Sequence, residues 1–184
     1  MEGVLRRLLG SSPFRASARA IMLMSHQHTR LWSFIRARAL FPGSPDVICH
    51  WKAEIKYPHN ITLGRRVVIG SECTVGARAP VYLGDDVLLS KGVVVETGTA
   101  DISTPPPYRR MAKPIRIERG VWMGARAMVM GGVTIGENSI IAAGAVVRKS
   151  VPANSFVSTE RVRVQPFASP EPVLTPQAAR ADAA

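Results

Sequence analysis

The sequence predicts an all-β fold: a parallel β-helix preceded by a helical arm and interrupted by one long inserted loop. Three observations lead there. An apolar residue recurs on a six-residue beat, at Leu63, Ile69 and Val75, then after two extra residues at Leu83, Leu89 and Val95. The beat resumes at Ile117, Met123, Val129, Ile135, Ile141 and Val147, with a weaker step at Ala153. A companion row sits two residues earlier, at Ile61, Val67, Cys73, Val81, Val87 and Val93 and then at Ile115, Val121, Ala127, Val133, Ser139 and Ala145. Finally, glycine follows the beat at positions 64, 70, 76, 84, 124 and 136, while Ser90, Glu96, Glu118, Met130, Ala142 and Arg148 fill that slot elsewhere.

Two inward positions two residues apart are what a short strand supplies, because its side chains alternate between faces. The remaining residues of each hexapeptide must turn a corner, where a missing Cβ permits tight packing and unusual backbone angles. Three hexapeptides close a triangular coil, and each coil buries its apolar lining only by stacking on the next.

Residues 1–45 read as a basic helical arm, broken near Ser11-Ser12-Pro13 and stopped by Phe41-Pro42-Gly43-Ser44-Pro45. Leu31, Trp32, Phe34, Ile35, Ala39 and Leu40 are mixed with Arg30, Arg36 and Arg38. Two compatible roles fit this mixture. One is a cap over the open end of the coil, whose strand edges would otherwise lack partners; the other is an amphipathic helix on a membrane surface, with residues 1–41 making the contact.

The coil domain spans 46–165, with repeats over about 50–155. From Val95 to Ile117 is twenty-two residues, sixteen more than one step, so residues 97–114 form an inserted loop. Loops thrown out from rigid scaffolds commonly carry function. Residues 166–184, rich in Pro and Ala, read as a disordered tail.

The net charge of +11 is uneven: Arg6, Arg7, Arg15, Arg19, Arg30, Arg36 and Arg38 face one acid, Glu2, in the arm. That balance favours an anionic lipid or an anionic cofactor. A nucleic-acid partner is not expected, since there is no known binding module and no interleaving of aromatic with basic residues. No apolar run approaches the length that spans a bilayer, and charged and apolar residues are mixed in a way that does not read as a secretory signal. Cys73 falls on an inward row and Cys49 before the repeats, so neither a disulfide framework nor a zinc site is implied. The expected location is cytoplasmic, peripheral at the inner membrane face.

The segments Gly120-Val121-Trp122-Met123-Gly124-Ala125-Arg126-Ala127, Gly132-Val133-Thr134-Ile135-Gly136-Glu137-Asn138-Ser139 and Ala143-Gly144-Ala145-Val146-Val147-Arg148-Lys149-Ser150-Val151-Pro152 resemble the hexapeptide-repeat O-acetyltransferases. Together with Lys56-Tyr57-Pro58-His59-Asn60, Ala79-Pro80-Val81 and the Trp-containing basic arm, they look most like the colanic-acid and exopolysaccharide type. The resemblance implies a left-handed coil, a homotrimer with sites between subunits, and acetyl-CoA as donor to a sugar or glycan hydroxyl approaching under the inserted loop. It carries cofactor binding onto Trp122, Gly124, Ala125, Ala143, Arg148, Lys149 and Arg163. Small residues there would let a pantetheine arm lie along the backbone, and the three cations suit phosphates. Tyr108, Arg109 and Arg110 are the candidate acceptor contacts.

The chain departs from this family at its catalytic base. The family carries histidine in a Thr-Gly-Ser/Thr-His-Asp context, where imidazole takes the acceptor's proton; this chain reads Thr97-Gly98-Thr99-Ala100-Asp101. Alanine cannot take a proton, and a positioned base is worth about 10²–10⁴-fold in rate. The chain is therefore expected to bind its ligands and turn over slowly or not at all, with Asp101 orienting the missing base or the acceptor. Either histidine was replaced to trap a complex, which the intact surroundings favour, or the chain is a naturally inactive trimeric binding or scaffold protein at the membrane. A second departure is Phe156-Val157-Ser158-Thr159-Glu160-Arg161-Val162-Arg163, where the family has a Val-Ala-Gly-Asn-Pro-Ala-like turn. A γ-type carbonic anhydrase would need three imidazoles, and no histidine follows His59, so no metal is expected. The uridylyltransferases that share the coil need an α/β domain of which these residues show no trace.

Overall fold

A computed structural model describes residues 12–44, 46–101, 103 and 105–158. Arg163 and the expected tail, 166–184, lie outside the described residues, as do residues 1–11 of the arm. The remainder is a left-handed parallel β-helix of three sheets, entered by one helix, Ser12–Leu40.

The first face stacks Ile48–Cys49, Val68–Ile69, Leu88–Leu89, Trp122–Met123, Ile140–Ile141 and Phe156–Val157. The second stacks Glu54–Lys56, Thr74–Gly76, Val94–Glu96, Met128–Met130 and Val146–Val147, and the third Ile61–Leu63, Val81–Leu83, Ile115–Ile117 and Thr134–Ile135. Every pairing between coils is parallel and in register on the beat, for example Ile69 with Leu89 and Val75 with Val95. Both apolar rows point inward: from Val67 to Val147 every residue of either row is buried, including Ser139. The one hydroxyl on the companion row is satisfied there, since Ser139 Oγ donates to the Pro152 carbonyl (2.9 Å) and accepts from the Ser155 amide (3.2 Å).

Register shows where the coils differ in length. From first to second face the step is always six residues (Cys49 to Ile55, Ile69 to Val75, Leu89 to Val95, Met123 to Val129, Ile141 to Val147), and from third to first it is again six. All variation falls at the corner between second and third faces, which takes eight residues twice, then twenty-two, then six, then four. The last value corrects the weak beat read at Ala153. Val151 instead bridges to Ile135 and Val157 pairs with Ile141, leaving Ala153 exposed.

Two further readings need correction. Cys49 does not precede the coil but lies on its inward beat, fully buried and paired with Ile69, with Val47 and Ala53 buried beside it. The glycines after the beat do not have positive φ; they are there for close approach. A Cβ on Gly124 would stand 2.6 Å from the Ala143 amide nitrogen of the next coil. Left-handed backbone instead forms columns at the two constant corners, Glu72, Gly92, Arg126, Gly144 and Arg66, Asp86, Gly120, Asn138, Asn154, and occurs singly at the variable corner, at Tyr57 and Gly132.

The helix closes the lower end of the stack, as its capping role requires. Ala37 and Phe41 are buried in the core cluster, the Arg36 guanidinium donates to the Ala53 carbonyl (2.8 Å) and Ser33 Oγ accepts from the Trp51 amide (3.1 Å). Earlier along the helix, Ile21, Met22, Leu23, Met24, Leu31 and Trp32 are exposed.

Candidate functional site

The inserted loop is an antiparallel hairpin, Gly98–Asp101 against Arg109–Ala112, rooted at the corner whose length varies. Thr97 is the root. Fully buried, its Oγ1 donates to the Gly76 carbonyl (2.7 Å) and accepts from the Ala79 amide (3.1 Å), while its own carbonyl accepts from the Lys113 amide (3.0 Å). The coil above also closes on it, because a Cβ at Gly131 would stand 2.6 Å from the Thr97 carbonyl oxygen. The hairpin is thus a projection held by one polar residue in a core that is otherwise nearly all apolar.

Register across the hairpin places Arg110 opposite Ala100 and Arg109 opposite Asp101, so four of the predicted site residues are brought together. Ala100 is exposed, as are Tyr108, Arg109 and Arg110. The Asp101 carboxylate accepts from the Ser103 amide (3.0 Å) and hydroxyl (2.6 Å), and these bonds hold its pKa below the usual carboxylate value. It therefore fixes the turn that leaves the strand.

Beneath the hairpin lies a cavity of about 500 Å³, lined by Lys56, Arg78, Glu96, Gly98, Thr99 and Arg110, with Tyr57, Gly76 and Met111 completing the wall. Glu96 was read from the sequence only as a filler of the slot after the beat. In the structure it occupies the last position of its strand directly above Gly76, and its Oε1 accepts from the Gly98 amide (2.8 Å). The signal was available: every other filler of that slot before the insertion is Gly or Ser, and the acid stands at the loop's root.

Of the predicted cofactor residues, Trp122, Gly124, Ala125 and Ala143 lie elsewhere. Trp122 is on the first face, 49% exposed, its indole N–H donating to Ser90 Oγ (2.9 Å). Gly124, Ala125 and Ala143 stack at the corner between first and second faces. Arg148 and Lys149 are exposed on the uppermost turn of the variable corner, and neither enters an ion pair among the described residues. One protomer therefore presents the hairpin with its cavity on one corner and Gly124, Ala125 and Ala143 on another. Arg163 lies outside the described residues.

Comparison with known proteins agrees with this architecture. Residues 114–149 match the family described as bacterial transferase hexapeptide (six repeats), and residues 60–97 match the hexapeptide repeat of succinyl-transferase. The galactoside O-acetyltransferase of Escherichia coli (strain K12) is 33% identical over 115 residues, covering 59% of this chain and 54% of that protein. The putative colanic acid biosynthesis acetyltransferase WcaF of the same organism is 27% identical over 145 residues, covering 68% of this chain and 79% of the relative. Among solved structures, a galactoside acetyltransferase in complex with coenzyme A superposes with a TM-score of 0.53 at 30% identity, over 56% of this chain and 53% of that one. The chain spans about half the length of several curated relatives it matches. Its repeats and its coil are those of hexapeptide-repeat proteins, and over these stretches the chain is similar to hexapeptide-repeat O-acetyltransferases.

Proposed function

We propose that the chain is a CoA-dependent O-acyltransferase that moves acetyl from acetyl-CoA to a hydroxyl of a sugar or a glycan- or lipid-linked intermediate. The observation that carries this reading is the hairpin, projected from the one variable corner over a cavity of about 500 Å³ on an otherwise regular coil. Acetyl-CoA would supply an activated thioester carbonyl. The residues present fit it: Gly124 packs so closely on Ala143 that the corner is walled by backbone and methyl groups, and Arg148 and Lys149 are exposed cations suited to phosphates. Arg163 completes that set by resemblance.

The two half-sites on different corners support a homotrimer, in which the hairpin of one protomer faces the Trp122 and Ala143 corner of the next. A particle of three chain masses by light scattering is the expected result, and a monomer at working concentration would contradict it. The location that goes with this reading is cytoplasmic, with peripheral membrane contact through the arm. No helix among the described residues is long and apolar enough to cross a membrane. Exposed Ile21, Met22, Leu23 and Met24 support a surface contact. Because Ser33–Phe41 belong to the cap, flotation on anionic phospholipid vesicles should compare the full chain with one lacking residues 1–30; equal partitioning removes the membrane contact.

Within this reading, the chain is a His-to-Ala inactivated form whose transfer is slow. Ala100→His should raise acetyl transfer to a panel of nucleotide sugars and simple glycosides by about 100-fold or more, read as CoA thiol release and product mass. The second reading is a naturally inactive scaffold, which Ala100 at the place of the family's histidine also fits. Tight acetyl-CoA binding with no gain of transfer in Ala100→His would select it.

A further inference from the structure

We infer that Glu96 takes the acceptor's proton in this chain and carries its residual transfer, an assignment that rests on the acyltransferase reading above. Position 100 holds a methyl group, and no histidine occurs in the hairpin or on any later coil. The cavity under the hairpin has one acid in its lining, Glu96, against three cations, Lys56, Arg78 and Arg110. Of these, Lys56 is engaged with Glu54 (3.1 Å), and none of the ion pairs among the described residues involves Glu96.

The carboxylate is placed, not merely present. Oε1 is fixed by the Gly98 amide, and Oε2 lies over the Cα of Gly76 in the coil below. A Cβ at Gly76 would stand 2.2 Å from Oε2, so that glycine makes the room the carboxylate occupies. Gly98 and position 100 lie on the same side of one strand, about 7 Å apart. A hydroxyl seated under the hairpin is thus within reach of a proton acceptor at either place. The carboxylate enters from the strand end, and imidazole in the family enters from the hairpin.

The step balances without any further reactant. The acceptor O–H gives its proton to a carboxylate oxygen of Glu96 as the hydroxyl oxygen bonds to the thioester carbonyl carbon. When the C–S bond breaks, the sulfur leaves with the electron pair and receives that proton, which regenerates the carboxylate. Nothing is oxidised or reduced. Lys56, Arg78 and Arg110 face the same space as the carboxylate, and Tyr57 is the other titratable group on the wall.

The test uses the full chain with acetyl-CoA, offering water and then methyl β-D-galactoside and a set of nucleotide sugars as acceptors, with CoA thiol release as readout. Glu96→Gln keeps the shape and an oxygen for the Gly98 amide, and should cut turnover about 100-fold with the KM for acetyl-CoA unchanged. The double variant Glu96→Gln/Ala100→His should recover transfer. Its rate should fall as pH drops through the ordinary imidazole range near about 6.5. Unchanged turnover in Glu96→Gln overturns the assignment. So does an unmodified chain that binds acetyl-CoA and never consumes it while Ala100→His does, which leaves the acyltransferase reading standing. Failure of every form to bind acetyl-CoA overturns that underlying reading instead.

Discussion

Two corners of the prism are built to one length and the third is not, and this contrast divides scaffold from function. Where first meets second face, and third meets first, each coil spends six residues, and every such turn except the first, Cys49 to Ile55, places a left-handed residue at the same point. Such a column repeats because the inward beat on either side is buried against the coils above and below, and a change of length would turn apolar side chains outward. At the remaining corner the count runs eight, eight, twenty-two, six and four without disturbing a single pairing. The hairpin, the cavity and Glu96 are all at that corner.

The largest effect should come from exchanging the corners' treatment. Two glycines inserted between Lys91 and Gly92, at a constant corner, are expected to abolish cooperative thermal unfolding. The same pair between Arg148 and Lys149 should lower the midpoint by no more than a few degrees. Equal losses at both sites would erase the distinction. Next comes the root of the hairpin. Thr97→Val removes the hydroxyl that pairs with the Gly76 carbonyl and the Ala79 amide, and should cost about 1–3 kcal/mol in denaturant unfolding. A neutral result would mean that the hairpin is held by its strands alone.

The smallest effect is electrostatic and belongs to a constant corner. The Arg65 amide and guanidinium hold the Asp85 pKa below its ordinary value. A carboxylate with a lowered folded-state pKa contributes stability that is present above its unfolded pKa of about 3.9 and lost as pH falls through the folded value. Asp85→Asn should therefore lower stability slightly at pH 7, with the difference closing as pH falls below about 4, so that the acid side of its curve is flatter; the same acid slope in both forms would refute it. This pair is at the surface, so added salt should weaken it further.

Much of this was legible in the chain because burial imposes a period, and a period survives substitution. Val67 to Val147 could be placed on the inward rows from spacing alone. The first coil escaped notice because Cys49 and Ala53 are small and stand among His50, Trp51 and Lys52, which mask the beat. The shortened last corner was misread because Val151 and Ala153 are both small and apolar, and only pairing with Ile135 chooses between them. The hairpin strands carry no alternation of apolar and polar residues; Gly98–Asp101 pairs with Arg109–Ala112 because Thr97 and Lys113 bring the ends together. Glu96 was visible as a residue type but not as a site, since its meaning depends on Gly76 one coil below and twenty residues earlier.

The two thiols have a consequence of their own. Cys49 and Cys73 are both fully buried in the lower coils, and burial pushes their pKa values up, so neither offers a reactive thiolate in the native state. In a stack whose coils touch only their neighbours, opening can begin at one end and travel. An alkylating reagent would then register the bottom of the prism coming apart while the top is still wound, giving the chain its own clock for the direction of unzipping.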